Sequence, residues 1–160
     1  MTWLARLIGR FLPARDATGA SGLPRPALLD FRKLCRPTRP NTALAAPAGT
    51  HPAPDLVTPI FHLPADRLYR IVLAVAASQT RTVLAQEYPA ARQAHFVSRS
   101  AWLNFPDLSA VQVNEVSADS SAIVLYSRSV YGYSDSGVNR RRLIAWLADI
   151  QARINNPDES

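Results

Sequence analysis

From Ser127 to Leu147 the chain reads Ser-Arg-Ser-Val-Tyr-Gly-Tyr-Ser-Asp-Ser-Gly-Val-Asn-Arg-Arg-Arg-Leu-Ile-Ala-Trp-Leu, its densest concentration of groups able to do chemistry. The pattern predicts a strand end, a polar turn and a helix that opens with three arginines. Gly132 and Gly137 allow backbone angles closed to other residues, and Ser134, Asp135 or Ser136 can accept the free N–H groups of the helix. Arg140, Arg141 and Arg142 then sit at the positive end of the helix dipole, where an exposed cation is disfavoured by about 0.3–1 kcal/mol. That placement calls for an anion. Asp135 or Asp107 can supply it from within the chain, and so can an external phosphate or carboxylate. The candidate anion- or ligand-binding residues are Arg128, Asp135, Gly137, Asn139, Arg140 and Arg142. The favoured expectation is an internal network in which Arg128 and one or two of the three arginines satisfy Asp135 and Asp107 and pin the last helix to a sheet; a small anionic ligand is the alternative.

Catalytic templates fit these residues poorly. Ser127, Ser129 and Ser134 have no histidine close in sequence and no Gly-x-Ser-x-Gly elbow. His51, His62 and His95 fall in separate elements without metal-ligand spacing, so each is read as a surface or packing histidine. The single cysteine, Cys35, forms no disulfide within one chain and has no base beside it, which makes it a small apolar side chain. Neither phosphate-loop nor dinucleotide glycine patterns occur. No catalytic residue, metal site or cofactor is assigned.

The elements that must position the cluster are legible from hydrophobic period. Residues 56–63 are a short strand candidate, and Pro64 suits the first turn of a helix over 64–79 that buries Leu68, Ile71, Val72 and Val75. Four strands are expected over 81–87, 92–102, 108–117 and 121–130. Val111 and Val113 share one face of the third, and Val124, Tyr126 and Arg128 share one face of the fourth. The last helix, over 136–154, buries Leu143, Trp146, Leu147, Ile150 and Ile154. Short connections favour an antiparallel meander of four to five strands with both helices on one face, an α+β fold. A chain of 160 residues suits one such domain, here 37–155, able to bury a core without disulfides.

The 13 prolines concentrate before residue 65, so the first third is expected to be extended. Residues 13–36 read as a basic Pro-rich linker with one short docking helix near 26–34. Residues 1–12 read as an amphipathic helix with Trp3, Leu4, Leu7, Ile8 and Phe11 on one face and Arg6 and Arg10 opposite, too short to span a bilayer. Charge follows the same division. Residues 1–40 hold eight cations and two acids, which accounts for the whole net charge of +6, while the remainder balances ten against ten. A basic arm on a neutral body points to an anionic membrane surface, or a membrane protein complex, met by the arm. Aromatics near cations, notably Trp102, Tyr126, Tyr131 and Tyr133, could stack bases, but a neutral body argues against nucleic acid.

Ser127-Arg128-Ser129, Gly132, Ser134-Asp135 and Gly137-Val138-Asn139-Arg140 followed by a further arginine resemble the C-terminal signature of DUF1499, a bacterial and organellar family of unknown function. Arg39-Pro40-Asn41 and Ala46-Pro47-Ala48-Gly49 are similar to its opening. The family pattern has a second arginine where this chain has Val130 and a second aspartate where it has Leu108, the joint loss expected of an internal ion pair. The resemblance implies no activity. The expected function is that of a non-enzymatic binding or accessory module, membrane-associated on the cytoplasmic face or an organellar equivalent and docked by its basic arm. The alternative is a small-molecule or lipid-binding domain with an anion site at the start of the last helix.

Overall fold

The structure is a computed structural model that describes residues 17–50 and 54–156. The helix expected over 1–12, with Trp3, Leu4, Arg6, Leu7, Ile8, Arg10 and Phe11, lies outside the described residues, as does His51. Seven strands, β1 (Thr42–Ala46), β2 (Leu56–Val57), β3 (Ile60–Phe61), β4 (Thr82–Tyr88), β5 (Gln93–Arg99), β6 (Pro106–Ser117) and β7 (Ser120–Ser129), join helices α1 (Ala65–Ser78) and α2 (Val138–Asn155). The sheet order is β2-β1-β7-β6-β5-β4, with β3 also pairing β7.

β4 to β7 form the expected antiparallel meander. The expectation of four to five strands, all antiparallel, is corrected at the other edge. There β1 lies antiparallel to β7, pairing Leu44 with Tyr126, and parallel to β2, pairing Ala45 with Leu56, so the sheet is mixed. Thr-Ala-Leu-Ala-Ala has weak strand propensity and no polar alternation, because Ala43 and Ala45 are buried on one face and Leu44 and Ala46 on the other. The single strand expected over 56–63 is split at Thr58-Pro59. Proline has no N–H for a ladder, and the buried Thr58 turns its hydroxyl to Ile123 O at 2.9 Å.

Both helices cover one face, and the period-3.6 pattern explains why. Leu68, Val72 and Val75 of α1 and Leu143, Trp146 and Ile150 of α2 are fully or almost fully buried against Ala43, Phe96, Val111, Ile123 and Leu125. The Trp146 and Phe96 rings meet edge to face at 5.6 Å. No helix among the described residues is long and apolar enough to cross a membrane.

The opposite face is covered by residues 17–40, the stretch that reads as a linker in sequence. Only Phe31–Lys33 is helical there, a single 3-10 turn capped by Asp30. After a turn over 19–22, residues 24–30 and 34–37 run as an extended strap, as Pro24 and Pro26 require by restricting their own and preceding residues. Phe31 is buried with Leu44, Ala46, Ala110, Val124 and Tyr126 in a second apolar cluster. Polar clasps fix the path. Gln93 exchanges two hydrogen bonds with the Leu29 backbone, at 2.8 and 2.9 Å, and Tyr88 Oη donates to Pro26 O at 2.8 Å. The buried Arg99 guanidinium donates to Gly19 O, Ser21 O and Asn104 O.

Candidate functional site

Strand alternation brings Asp107 and Ser109 of β6 and Ser127 and Ser129 of β7 to the helix-bearing face, beneath the first turn of α2. Asp135 organises that turn. Its carboxylate accepts from Gly137 N and Asn139 N, both at 2.8 Å, satisfying donors the helix itself leaves free. Gly137 has φ of 78°, a left-handed conformation that glycine adopts without steric cost.

Asn139 is the hub. It is fully buried, and its Nδ2 donates to Asp135 Oδ2 at 2.6 Å and to Asn41 O and Ser129 Oγ at 3.0 Å. Its Oδ1 accepts from Ser127 Oγ at 2.6 Å and from Arg142 Nη1 at 2.7 Å. Arg142 Nη2 reaches Asp107 Oδ2 at 2.6 Å, and this pair keeps only 15% and 10% of its side-chain surface. Last helix, β1, β6 and β7 are thus tied by one polar network. Its side chains answer one another, as buried polar groups ordinarily do, with Asn41 Oδ1 the exception.

Of the sequence candidates, Asp135, Gly137, Asn139 and Arg142 meet in this network, while Arg128 and Arg140 do not. Asp135 is satisfied by backbone N–H groups and Asn139 and by no arginine. Arg140 is exposed, and Arg141 folds back to Ser136 O at 2.9 Å. Arg128 follows Val124 and Tyr126 on the strap-bearing face, away from Ser127 and Ser129. Asn41 stood in the sequence reading only within the family opening and not at the site; it holds Gly132 O through Nδ2 at 3.0 Å. Its place at the start of β1 was the missing signal. Leu108, opposite Arg128, and Val130, whose N–H donates to Pro106 O, are diagonal neighbours on that same face. The two departures from the family pattern are therefore close enough to have held one ion pair.

Arg128 borders a cavity of about 350 Å³ between strap and sheet, with His95 and Tyr126 also in its wall. Gln93 fixes the tautomer of His95. Because Gln93 Nε2 donates to Leu29 O and Oε1 accepts from Leu29 N, the 2.8 Å contact between Oε1 and His95 Nε2 requires the proton on Nε2. In the neutral ring, Nδ1 is then an acceptor. Burial pushes the His95 pKa below its ordinary value of 6.5, and burial pushes the Tyr126 phenol up, with Arg128 drawing it partly back.

The histidine shift has a stability consequence. Below pH 6.5 the unfolded chain protonates this ring before the folded one does, so its contribution is complete above pH 6.5 and is lost as pH falls through the depressed folded value. Denaturant unfolding at pH 8 and pH 5 should show a drop in stability that His95→Gln diminishes. An equal drop in the variant would assign the effect to other groups.

His62 and His95 stand apart, and among the described residues no group of three or more His, Cys, Asp or Glu is arranged to hold a metal. Cys35 is exposed at the cavity rim. No curated protein matches the chain. The model of the DUF1499 family, described as a protein of unknown function, matches residues 34–150, from the end of the strap through β1 and most of α2. Spanning well over half of the 160 residues and the whole network centred on Asn139, that match shows that the chain belongs to the DUF1499 family.

Proposed function

We propose that the protein is a non-enzymatic accessory module, docked peripherally on a membrane surface or a membrane-bound complex by its basic N-terminal leader. What supports this reading is the place where leader meets body. Asn104 Nδ2 donates to Ala17 O at 2.7 Å and Arg99 Nε donates to Gly19 O at 2.7 Å, which fixes residue 17 at the turn before β6. At that turn Trp102 is 92% exposed and Leu103 57%, beside the exposed Val83 and Leu84 of edge strand β4. An exposed tryptophan on an apolar edge, in a chain whose residues 1–12 carry the apolar and arginine spacing of an amphipathic segment, is the combination that interfacial anchoring uses. Each cation held near an anionic leaflet adds roughly 1 kcal/mol of attraction.

Deletion of residues 1–12 is expected to move the protein from the membrane pellet to the supernatant in cell fractionation and in co-sedimentation with phosphatidylglycerol vesicles. Trp102→Ser should weaken both associations without abolishing them. Unchanged partitioning of the deletion variant would remove the leader from any account of localisation. The second class, a small-molecule or lipid-binding domain, draws less support from the start of α2, where Asp135, Asn139 and Arg142 engage one another, than from the cavity beneath the strap.

A further inference from the structure

The strap-bearing face carries groups that the network around Asn139 leaves unused. Register aligns His95 with Ala110, Ala110 with Tyr126, and Tyr126 with Leu44, a single row across four strands. Val97, Leu108, Arg128 and Thr42 form the next row. With neighbouring strands about 4.8 Å apart, His95 and Tyr126 are separated by roughly 10 Å, and only the methyl group of Ala110 lies between them. The short side chain is what opens the floor of the cavity. Pro24, Pro26, Ala27, Leu29, Leu34 and Pro37 of the strap form its roof. The prolines bring no N–H to satisfy, which suits an apolar occupant.

The cavity volume of about 350 Å³ falls within the range of small-molecule sites. Its polarity is one-sided. Arg25 and Arg128 line it and no acidic residue does. Among the described residues neither arginine has a hydrogen bond or ion pair, and Tyr126, a buried residue in the cavity wall, forms no hydrogen bond through its hydroxyl. A phenol in a cavity wall is free to donate to an occupant. Among the described residues Asn41 Oδ1 is the one fully buried side-chain polar atom without a partner.

We propose that the space between strap and sheet is a binding site for a single-chain amphiphile with an anionic head, its chain lying over Ala110 between His95 and Tyr126 and its head held by Arg128, with Arg25 adding positive potential from the strap. The unpartnered Tyr126 hydroxyl supplies a further donor. The site is independent of membrane docking by the leader, because binding is measured in free solution and a failure of either proposal leaves the other standing.

Isothermal titration of the full chain with decanoate, decyl phosphate, decanol and acetate tests it. Decanoate or decyl phosphate should bind saturably, one per chain, and the better of the two identifies the head group as carboxylate or phosphate. Decanol should bind at least about ten-fold more weakly, and acetate should not register. Ala110→Leu fills the floor and should abolish binding, and Ala27→Trp, at a solvent-accessible position of the cavity roof, should do the same if the first variant fails to fold. Arg128→Gln should weaken the anion about ten-fold and leave decanol unchanged. Failure of both anions to bind wild-type protein would overturn the site, as would wild-type affinity in a folded Ala110→Leu or Ala27→Trp. Equal affinity for decanoate, decyl phosphate and decanol would overturn the role given to Arg128.

Discussion

Arg142→Ala is expected to destabilise the protein by about 3–5 kcal/mol, seen as a fall in melting temperature on the order of 10 °C. The substitution strands Asp107, whose side chain keeps 10% of its surface, and withdraws a donor from both Asn139 and Ser127. A carboxylate that is buried and unpaired costs far more than a surface pair contributes. The double variant Asp107→Leu, Arg142→Met removes both charges and should recover a large part of the loss, leaving a coupling energy above about 1.5 kcal/mol in a double-mutant cycle. A single-variant loss under about 1 kcal/mol would mean that the pair is solvated, and the network would then not be what fixes α2 on β6 and β7.

Phe31→Ala is the second large effect, about 3 kcal/mol or more from lost burial and the cavity left behind. Phe31 is 4% exposed, in contact with the second apolar cluster on the face away from the helices. The expected outcome is a lower melting temperature together with faster amide exchange over residues 24–37, since the strap loses its largest anchor while the Gln93 clasp remains. Unaltered exchange and a loss near zero would show that the strap lies on the sheet without stabilising it.

The behaviour of these residues separates what periodicity can reveal from what it cannot. Both helices, the four strands of the meander and their common burial face were legible, because a 3.6 or 2.0 period writes one-sided burial directly into the order of apolar residues. A side-chain cap from Ser134, Asp135 or Ser136 was visible too, but only the structure selects Asp135 and gives it backbone N–H groups in place of an arginine. The family signature read from the turn agrees with the family match over residues 34–150.

The placement of Arg128 was legible in part. Grouping it with Val124 and Tyr126 already put it on the face opposite Ser127 and Ser129, yet closeness in sequence to Asp135 suggested a shared site. A strand separates adjacent residues onto opposite faces, so a distance of one position became the thickness of a sheet.

By itself the sequence determined the two helices, the four strands of the meander, the helix-bearing core and the division of charge between the first 40 residues and the rest. Tertiary structure alone decided that Thr-Ala-Leu-Ala-Ala is a central strand, that residues 17–40 roof the second face, and that Asp107 belongs to Arg142. The physical reason is common to all three. Alanine carries little strand preference, proline sets an extended path without saying what that path packs on, and an ion pair across 35 positions has no local signature, so each is settled only when distant surfaces meet and exclude water.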